Sequence, residues 1–517
     1  MGSSNIDKLV VQYYFQLVRN NTETEQILYS LLTRIRQDHI KHIKPFLLLY
    51  KLIGQTRDIV YGKGEYDLSY MQIYIWWQFY PILSYFAFQT FVLDWTGEHH
   101  PYGSWKDIKN FCHFIKNKTG DENHPLIMFA INLLLQQLIW DNNEYSYGRK
   151  ISLAAKWAPR EKNKHGWLFN KLALIYSHLS TDITIGIERK ARMTFRKLLS
   201  KLNCSLDTIQ IKMCNGDWDK INFSTITSRT LYTNLKTFQS KKEFFKKFQE
   251  YYTNLRFLPA KRCHTYELVK LALNATTDEE CAIVNKQWAE HSLMNYDLGN
   301  MIAIIDTSLF SSENGKISLY NGIGIGIRIS EKSRMPFKDG LFIYSNYGEW
   351  IKFNPSQTFV EKVKIISGRS CAINQNFPTV FKEILNIFIK KQISEDDIKY
   401  ISFVVLSGIQ VPFQSLSIHT YLRYLYLKGP YTIMPHIIYW NLSDKPYFPV
   451  DCYKKNTTMI SGFNTSTLNF FGRRKSHSSL QIHNNSISFL DKILSGERYK
   501  ILALKLIDFI NKNNINI

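Results

Sequence analysis

The sequence predicts a helical module followed by an α/β domain, and three observations support this fold class. The chain has 517 residues, 45% of them hydrophobic, which is enough for more than one core because domains run to about 100 to 200 residues. Before residue 296, apolar residues recur mostly at three- and four-residue spacing. After it, short β-branched runs alternate with helical stretches. We therefore predict two domains, over residues 1–296 and 297–517.

The N-terminal part is predicted to be a stack of helices. The clearest periodic stretches cover residues 27–40, 46–52, 126–140, 168–179 and 244–255. From Leu68 to Leu93 there is no charged residue, which is longer than the ~20 residues needed to span a bilayer. A span would place three glutamines, several tyrosines and Pro81 in hydrocarbon. We interpret this segment as two buried helices that meet at the proline.

The C-terminal part is predicted to form a mostly parallel sheet with helices on both faces. The predicted strands cover residues 301–305, 341–344, 350–353, 401–406, 433–440 and 458–460. The predicted helices cover residues 317–331, 358–366, 378–391, 416–427 and, as a closing element, 498–509. Gly322, Gly324 and Gly326 lack the spacing of a nucleotide-binding turn. We interpret them as small residues that let a helix lie close to the sheet.

Positive charge is concentrated in the middle of the chain. Lysine and arginine outnumber aspartate and glutamate by 65 to 43, which gives a net charge of +22. From Lys156 to Arg262 there are 22 basic and 8 acidic residues, so +14 of this charge lies in about a fifth of the sequence. Such clustering predicts a surface that binds a polyanion, because lysine and arginine side chains that neutralise phosphate groups release the counterions bound there. A solvated basic face is the alternative interpretation.

The cysteines and the N-terminus indicate a reducing compartment. The seven cysteines are scattered, without Cys-x-x-Cys spacing, which argues against a disulfide framework or a structural zinc site. Residues 1–7 contain no apolar run of signal-peptide length, so we expect no entry into the secretory pathway.

A candidate metal-binding position lies at the end of the first predicted strand. The apolar run that starts at Met301 ends in Asp306, Thr307 and Ser308, where a parallel sheet presents ligands. A carboxylate and a hydroxyl in Asp-x-Ser spacing can hold a hard divalent cation if other loops supply further oxygens. Because Mg²⁺ requires near-octahedral oxygen coordination, these two side chains alone are not enough.

Short motifs along most of the chain carry a resemblance to a known architecture. They are TRDI (56–59), GKGE (62–65), GSWKD (103–107), KWAPRE (156–161), IKMCNGDW (211–218), YWNL (439–442) and SGFN (461–464). The part from Met301 onward resembles a von Willebrand factor A domain. The whole chain resembles an uncharacterised family, found in large DNA viruses and some eukaryotes, that joins this domain to a helical module like that of the Ro autoantigen (TROVE).

The resemblance implies an arc of paired, HEAT-like helices closed by an A domain with a metal-ion-dependent adhesion site. The family pattern at that site is Asp-x-Ser-x-Ser, with a threonine from a second loop and an aspartate from a third. Asp306 and Ser308 match this pattern, whereas Phe310 replaces the second serine.

The other two loops also depart from the family pattern. The second loop offers Asn374 and Gln375 instead of threonine, and the third loop, at Gly408, lacks its aspartate. We therefore predict a vestigial site that holds Mg²⁺ weakly or not at all, and no other cofactor. Ser311 or Ser312 could take the place of the missing serine.

From these observations we predict a non-enzymatic RNA-binding protein. Trp157 and Trp167 are candidates for stacking on unpaired bases, although aromatic residues in helices more often belong to a core. The similar Ro autoantigen binds structured and misfolded RNA, which supports this prediction by analogy alone. The side chains predicted to contact phosphates are those of Lys156, Arg160, Arg189, Lys190, Arg192, Arg196, Lys197 and Lys201.

A protein-interaction scaffold is the alternative function. In this case the A domain would dock a protein partner through the rim around Asp306, Asn374, Gln375 and Gly408, without a metal. The resemblance implies a location in the cytoplasm of the host cell or in a virus particle. The third possibility is an enzyme, but the sequence contains no nucleophile with a base at recognisable spacing and no cofactor fingerprint.

Overall fold

The architecture is a helical module that leads into a six-stranded sheet covered by helices. The computed structural model describes residues 3–38, 42–95, 97, 100–180, 187–258, 260, 263–307, 315–344, 348–369, 377–407, 418–444, 448–472 and 485–512.

The N-terminal part is helical, as its periodicity predicts. Each of the five periodic stretches forms a helix, and Pro81 occupies the first turn of the second of two helices, as predicted for the uncharged segment. The helices are α1 (Ser3–Gln16), α2 (Glu23–Gln37), α3 (Ile43–Arg57), α4 (Asp67–Phe79), α5 (Pro81–Val92), α6 (Lys106–Thr119), α7 (Pro125–Ser146), α8 (Ala154–Trp157), α9 (Gly166–Ser180), α10 (Ile187–Ser205), α11 (Ile209–Asn215), α12 (Ser228–Ser240), α13 (Lys242–Thr253), α14 (Thr265–Asn274) and α15 (Asp278–Ser292).

The sheet contains all six predicted strands, in the order β3-β2-β1-β4-β5-β6. All neighbouring pairs are parallel except β2 and β3, which form an antiparallel edge. The central strands β1 and β4 are buried almost throughout, as expected for a parallel sheet with both faces covered. The strands are β1 (Asn300–Asp306), β2 (Gly340–Tyr344), β3 (Gly348–Lys352), β4 (Ile401–Ser407), β5 (His436–Asn441) and β6 (Thr457–Ser461).

Five of the seven α-helices described in the C-terminal part overlap the predicted stretches, and the two that the sequence analysis did not predict cover residues 395–398 and 486–494. The seven helices are α16 (Gly315–Lys332), α17 (Phe359–Ser367), α18 (Phe377–Lys390), α19 (Glu395–Ile398), α20 (Ile418–Lys428), α21 (Ser486–Leu494) and α22 (Lys500–Lys512). The glycines of α16 allow close packing on two sides. A Cβ on Gly326 would lie 2.5 Å from Ile305 Cδ1 in the sheet, and a Cβ on Gly324 would lie 2.0 Å from Thr265 Cγ2 in α14.

The helical part and the sheet share one hydrophobic core. Helix α14 packs against α16, α1 packs against β6, and the closing helix α22 packs against α3 and α5. A second, smaller core joins residues of α11, α12, α13 and α15. Helix α15 ends at Ser292 and the first strand begins at Asn300, and the hydrophobic core is continuous between the two parts. The division into domains over residues 1–296 and 297–517 stays a prediction.

Three of the resemblance motifs, TRDI, GKGE and SGFN, form a buried polar junction between the helical part and the C-terminal part. Asp58 accepts hydrogen bonds from Arg498 Nε at 2.5 Å and Arg498 Nη2 at 2.7 Å. The buried Lys63 ammonium donates to the carbonyl oxygen of Tyr14 at 2.9 Å and to Ser461 Oγ at 2.6 Å. These motifs therefore have a structural role within the chain.

Two further observations concern the described cysteines and the apolar character of the described helices. Every cysteine within the described ranges is a free thiol. Among the described helices, none combines the length and the apolar character needed to cross a bilayer.

Candidate nucleic-acid interface

Helix α10 presents a face of exposed basic side chains. Arg189, Lys190, Lys197 and Lys201 are all exposed to solvent. Because residues seven apart lie on the same side of a helix, Lys190 and Lys197 share one face. The opposite face packs into the core through Phe195 and its apolar neighbours, so the charges point outward. The first three of these cations form no ion pair within the described part of the chain.

The two remaining predicted cations of α10 are already paired. Arg192 lies 3.6 Å from Glu161 Oε1, and Arg196 lies 3.4 Å from Glu161 Oε2. Arg192 also pairs with Glu188 one turn away at 3.6 Å. These pairs are partly exposed, so a phosphate could compete for them, but they offer less free positive charge than the other basic residues of α10.

Exposed aromatic side chains lie at the C-terminal end of α7, and one of them, Tyr145, contacts this basic face. Trp140 is 63% exposed and Tyr147 is 74% exposed, which is unusual for such large apolar groups. Lys201 connects the two helices, because its ammonium donates to Asn142 Oδ1 at 3.0 Å and lies 4.7 Å from the Tyr145 ring centroid. Cations and exposed rings on adjoining helices form the kind of surface that binds single-stranded nucleic acids.

The other two predicted cations, Lys156 and Arg160, belong to a different group. Helix α8 ends before Pro159. The loop that follows folds back on itself, so that a Cβ on Gly166 would lie 2.4 Å from the carbonyl oxygen of Glu161. This turn places the half-buried Trp157 ring against helix α6.

Three lysine ammonium groups lie around this ring. Lys109 Nζ lies 5.2 Å from the Trp157 ring centroid, Lys156 Nζ 5.7 Å and Lys106 Nζ 5.8 Å. We call Lys106, Lys109, Lys156, Arg160 and Lys164, together with Trp157, the Trp157 cluster.

Like charges in the Trp157 cluster repel one another. Burial is the largest cause that lowers the pKa of Lys109 to about 8, and Lys106, Arg160 and Lys164 lower it further by repulsion. Burial also lowers the pKa values of Lys156 and Arg160. Only the contributions of Lys106, Arg160 and Lys164 to the Lys109 shift reflect repulsion between neighbouring cations, whereas the larger cause is burial.

At the sheet edge, the structure describes only part of the predicted metal position. Asp306, at the end of β1, accepts a hydrogen bond from Ser407 Oγ at the end of β4, with 2.5 Å between the oxygens. Strand order reverses between these two strands, at the place where open α/β sheets bind ligands. Ser308, Asn374, Gln375 and Gly408 lie outside the described residues.

The described residues supply only part of a possible oxygen ligand set. The Asp306 carboxylate and the Ser407 hydroxyl are hydrogen-bonded to each other, whereas Mg²⁺ requires near-octahedral coordination by six oxygens. Within the described ranges there is also no group of three or more histidine, cysteine, aspartate or glutamate side chains that could hold a metal ion. The predicted vestigial site remains a prediction, because its other loops are not described.

The sequence analysis did not predict that residues of helices α6 and α7 contribute to the candidate interface. Lys106 and Lys109 belong to the near-neutral N-terminal segment, so the charge count did not include them. They lie three residues apart, and this spacing on a helix indicates that their side chains share one face. Trp140 is the last residue of the predicted helical stretch 126–140 and Tyr147 lies beyond it, and the exposure of both depends on tertiary packing. Trp167 is half-buried, with Lys116 Nζ 4.7 Å from its ring centroid.

Comparisons with known proteins give two matches. A family model described as a domain of unknown function, DUF7788, matches residues 300–490, which begin at β1. An uncharacterized protein of Acanthamoeba polyphaga mimivirus is 24% identical over 506 residues, covering 90% of this chain and 84% of the relative. This similarity along most of the chain supports an origin in a large DNA virus. Neither match assigns a TROVE module or a von Willebrand factor A domain.

Proposed function

We propose that this chain is a non-enzymatic RNA-binding protein that binds single-stranded RNA on the surface formed by α7 and α10. The observation that carries the proposal is the contact between the two helices, where the ammonium of Lys201 lies 4.7 Å from the centroid of the exposed Tyr145 ring, next to the exposed cations of α10. Free cations attract phosphates without regard to sequence, and every base can stack on an aromatic ring.

The side chains of this surface have separate roles in the proposed complex. Arg189, Lys190 and Lys197 contact phosphates, because they are exposed and form no ion pair within the described residues. Trp140 and Tyr147 stack on unpaired bases, because they expose most of their surface. Such contacts favour single strands over duplexes, since bases in a duplex are already stacked on one another.

The fold assignment that accompanies this proposal is a TROVE-like, HEAT-like helical module joined to a von Willebrand factor A-like domain. It is supported by the strand order, by the antiparallel edge strand β3 and by the aspartate at the end of β1. Similarity to the Ro autoantigen raises the expectation of RNA binding by analogy, and the basic helical surface supplies the physical reason.

The proposal is tested by the salt dependence of RNA affinity. Affinity for a single-stranded RNA should fall steeply with added salt, and replacing Lys190 and Lys197 with glutamine should make the slope shallower by about 1.4, or ~0.7 for each lost phosphate contact. The matched control replaces Lys242 and Lys246, exposed lysines on α13, and removes the same charge. A flat salt response, or equal effects of both variants, would contradict the proposal.

A protein-interaction scaffold, associated with the virus particle, is the second candidate. The position of Asp306 and Ser407 at the point where strand order reverses favours it, because this edge is where such sheets present binding loops. In this case partners should remain bound after nuclease and chelator treatment, and Asp306→Ala should release them. Loss of all partners with nuclease alone would exclude this second function.

A further inference from the structure

The Trp157 cluster lacks a compensating anion among the described residues. Lys106, Lys109 and Lys156 form no ion pair there, although each is half-buried. Half-buried like charges are unfavourable, and they persist at little cost only where an anion offsets their repulsion.

The carboxylates next to the cluster in sequence are engaged elsewhere. Asp107 is fully buried and accepts hydrogen bonds from Arg57 Nε at 2.6 Å, Arg57 Nη2 at 2.7 Å and the Tyr70 hydroxyl at 2.7 Å. Glu161 pairs with Arg192 and Arg196 on α10. Asp107 attracts Lys106 but is shared with Arg57, and neither carboxylate forms an ion pair with the lysines around Trp157.

Two histidines border the same charges. His165 is 5% exposed, its ring packs edge-on against His113 with 5.2 Å between centroids, and its Nδ1 has no hydrogen-bond partner within the described residues. Burial, together with Lys164, His113 and Lys109, lowers the pKa of His165 to about 4, so the ring is neutral at pH 7. A neutral ring can donate a hydrogen bond without adding another charge.

We propose that the Trp157 cluster binds a phosphoryl group of a nucleotide, with the lysine ammonium groups and the Arg160 guanidinium on the phosphate oxygens and the Trp157 indole stacked on the base. A phosphoryl group carries more than one negative charge and several acceptor oxygens, which suits a group of cations better than a single carboxylate does. The half-buried indole offers a face for a base.

This site differs from the surface of α7 and α10, so it does not depend on the proposed RNA binding. The phosphoryl group could come from a free nucleotide or from the end of an RNA chain. The chemistry of the site is the same for both, and only the covalent context of the phosphate differs.

Isothermal titration calorimetry with ADP and with pyrophosphate, at low salt and in the presence of a chelator, tests the site. Both ligands should bind the full chain, ADP the more tightly. Lys109→Gln should weaken both by about ten-fold or more, because a charge-assisted hydrogen bond is lost. Trp157→Leu should remove the advantage of ADP and leave pyrophosphate within about two-fold.

The matched control is Lys162→Gln, which removes the same charge from an exposed lysine of the same loop. It should leave both affinities within about two-fold, because counterion effects at a distance are screened. Absence of saturable binding by either ligand, or an equal loss in Lys162→Gln and Lys109→Gln, would overturn the site. An equal loss of both ligands in Trp157→Leu would overturn the stacking role.

Thermal unfolding with and without ligand separates a loss of binding from a folding defect in a variant. At a pyrophosphate concentration near the wild-type Kd, the Tm of the wild type and of Lys162→Gln should rise by similar amounts and that of Lys109→Gln by much less, because stabilisation depends on the fraction of bound protein. Competition by a short RNA with a 5′-phosphate, compared with its 5′-hydroxyl counterpart, then distinguishes the two sources. Stronger competition by the phosphorylated RNA indicates an RNA end, and equal competition indicates a free nucleotide.

Discussion

The pKa of Lys109 reflects its burial and the positive charges around it. The side chain is half-buried, and its ammonium lies 5.2 Å from the Trp157 ring centroid among other cations. Burial first, and then Lys106, Arg160 and Lys164, lowers its pKa from 10.5 to about 8. The folded state therefore binds fewer protons at this site than the unfolded state does between these two values.

The first prediction concerns the pH dependence of stability at Lys109. The sign follows from the lowered pKa: the charged lysine is destabilising below pH 8, and this penalty is relieved as the pH rises from about 8 towards 10.5. We expect Lys109→Gln to be more stable than the wild type at pH 7, with the difference shrinking towards pH 10. Urea unfolding of both proteins across this range measures it. A constant difference would show that Lys109 titrates normally.

The second prediction concerns the buried pair of Arg57 and Asp107. Both side chains have no exposed surface, and two hydrogen bonds join them. Asp107→Asn leaves a buried guanidinium without its carboxylate and should destabilise the fold by about 3 to 5 kcal/mol. Asp451→Asn, which breaks the exposed pair with Lys8, should cost no more than about 1 kcal/mol. Chemical unfolding measures both, and similar losses would contradict the assigned burial.

Helix α16 illustrates a constraint at the scale of an element. Its glycines alternate between two neighbours, with Gly322 and Gly326 towards the sheet side and Gly324 against α14. A Cβ on Gly324 would overlap Thr265, a β-branched side chain with little freedom to move. The sequence predicts the close approach to the sheet, but the second approach, to α14, depends on the packing of distant segments.

The third prediction compares two of these glycines. Gly324→Ala should destabilise the protein by about 1 to 3 kcal/mol, because α14 and α16 must separate. Gly322→Ala places its Cβ in ordinary contact, 3.5 Å from Leu442 Cδ1, and should be neutral or stabilising by up to about 1 kcal/mol through helix propensity. Thermal unfolding of the two variants measures the contrast. Equal stability of the two variants would show that α14 and α16 leave room for a Cβ at Gly324.

At the scale of the whole molecule, the helical part and the sheet are joined by core and polar contacts. The closing helix α22 returns to α3 and α5, and Arg498 just before it binds the fully buried Asp58. Tyr499 also donates to Asp58 at 3.1 Å. These contacts join the two ends of a long chain, so we expect the two parts to unfold together.

The fourth prediction tests this coupling. Circular dichroism and tryptophan fluorescence should give coincident unfolding transitions for the wild type. Arg498→Met leaves the Asp58 carboxylate buried without its cation and should lower stability by about 3 to 5 kcal/mol in both signals. Lys500→Met, which removes an exposed cation next to it, is the control. Two separated transitions in the wild type would show that the parts fold independently.

The sequence by itself determined the helices, the strands and the basic middle segment, because hydrophobic periodicity and charge depend on residues that are neighbours in the chain. It did not determine the strand order or the close packing of α14 on α16. The pairing of Lys106 and Lys109 with the Lys156–Arg160 loop, and the burial of the TRDI and GKGE motifs, also came only from the tertiary structure. The physical reason is that these contacts join residues far apart in sequence, and only the packing of a common core decides which of them meet.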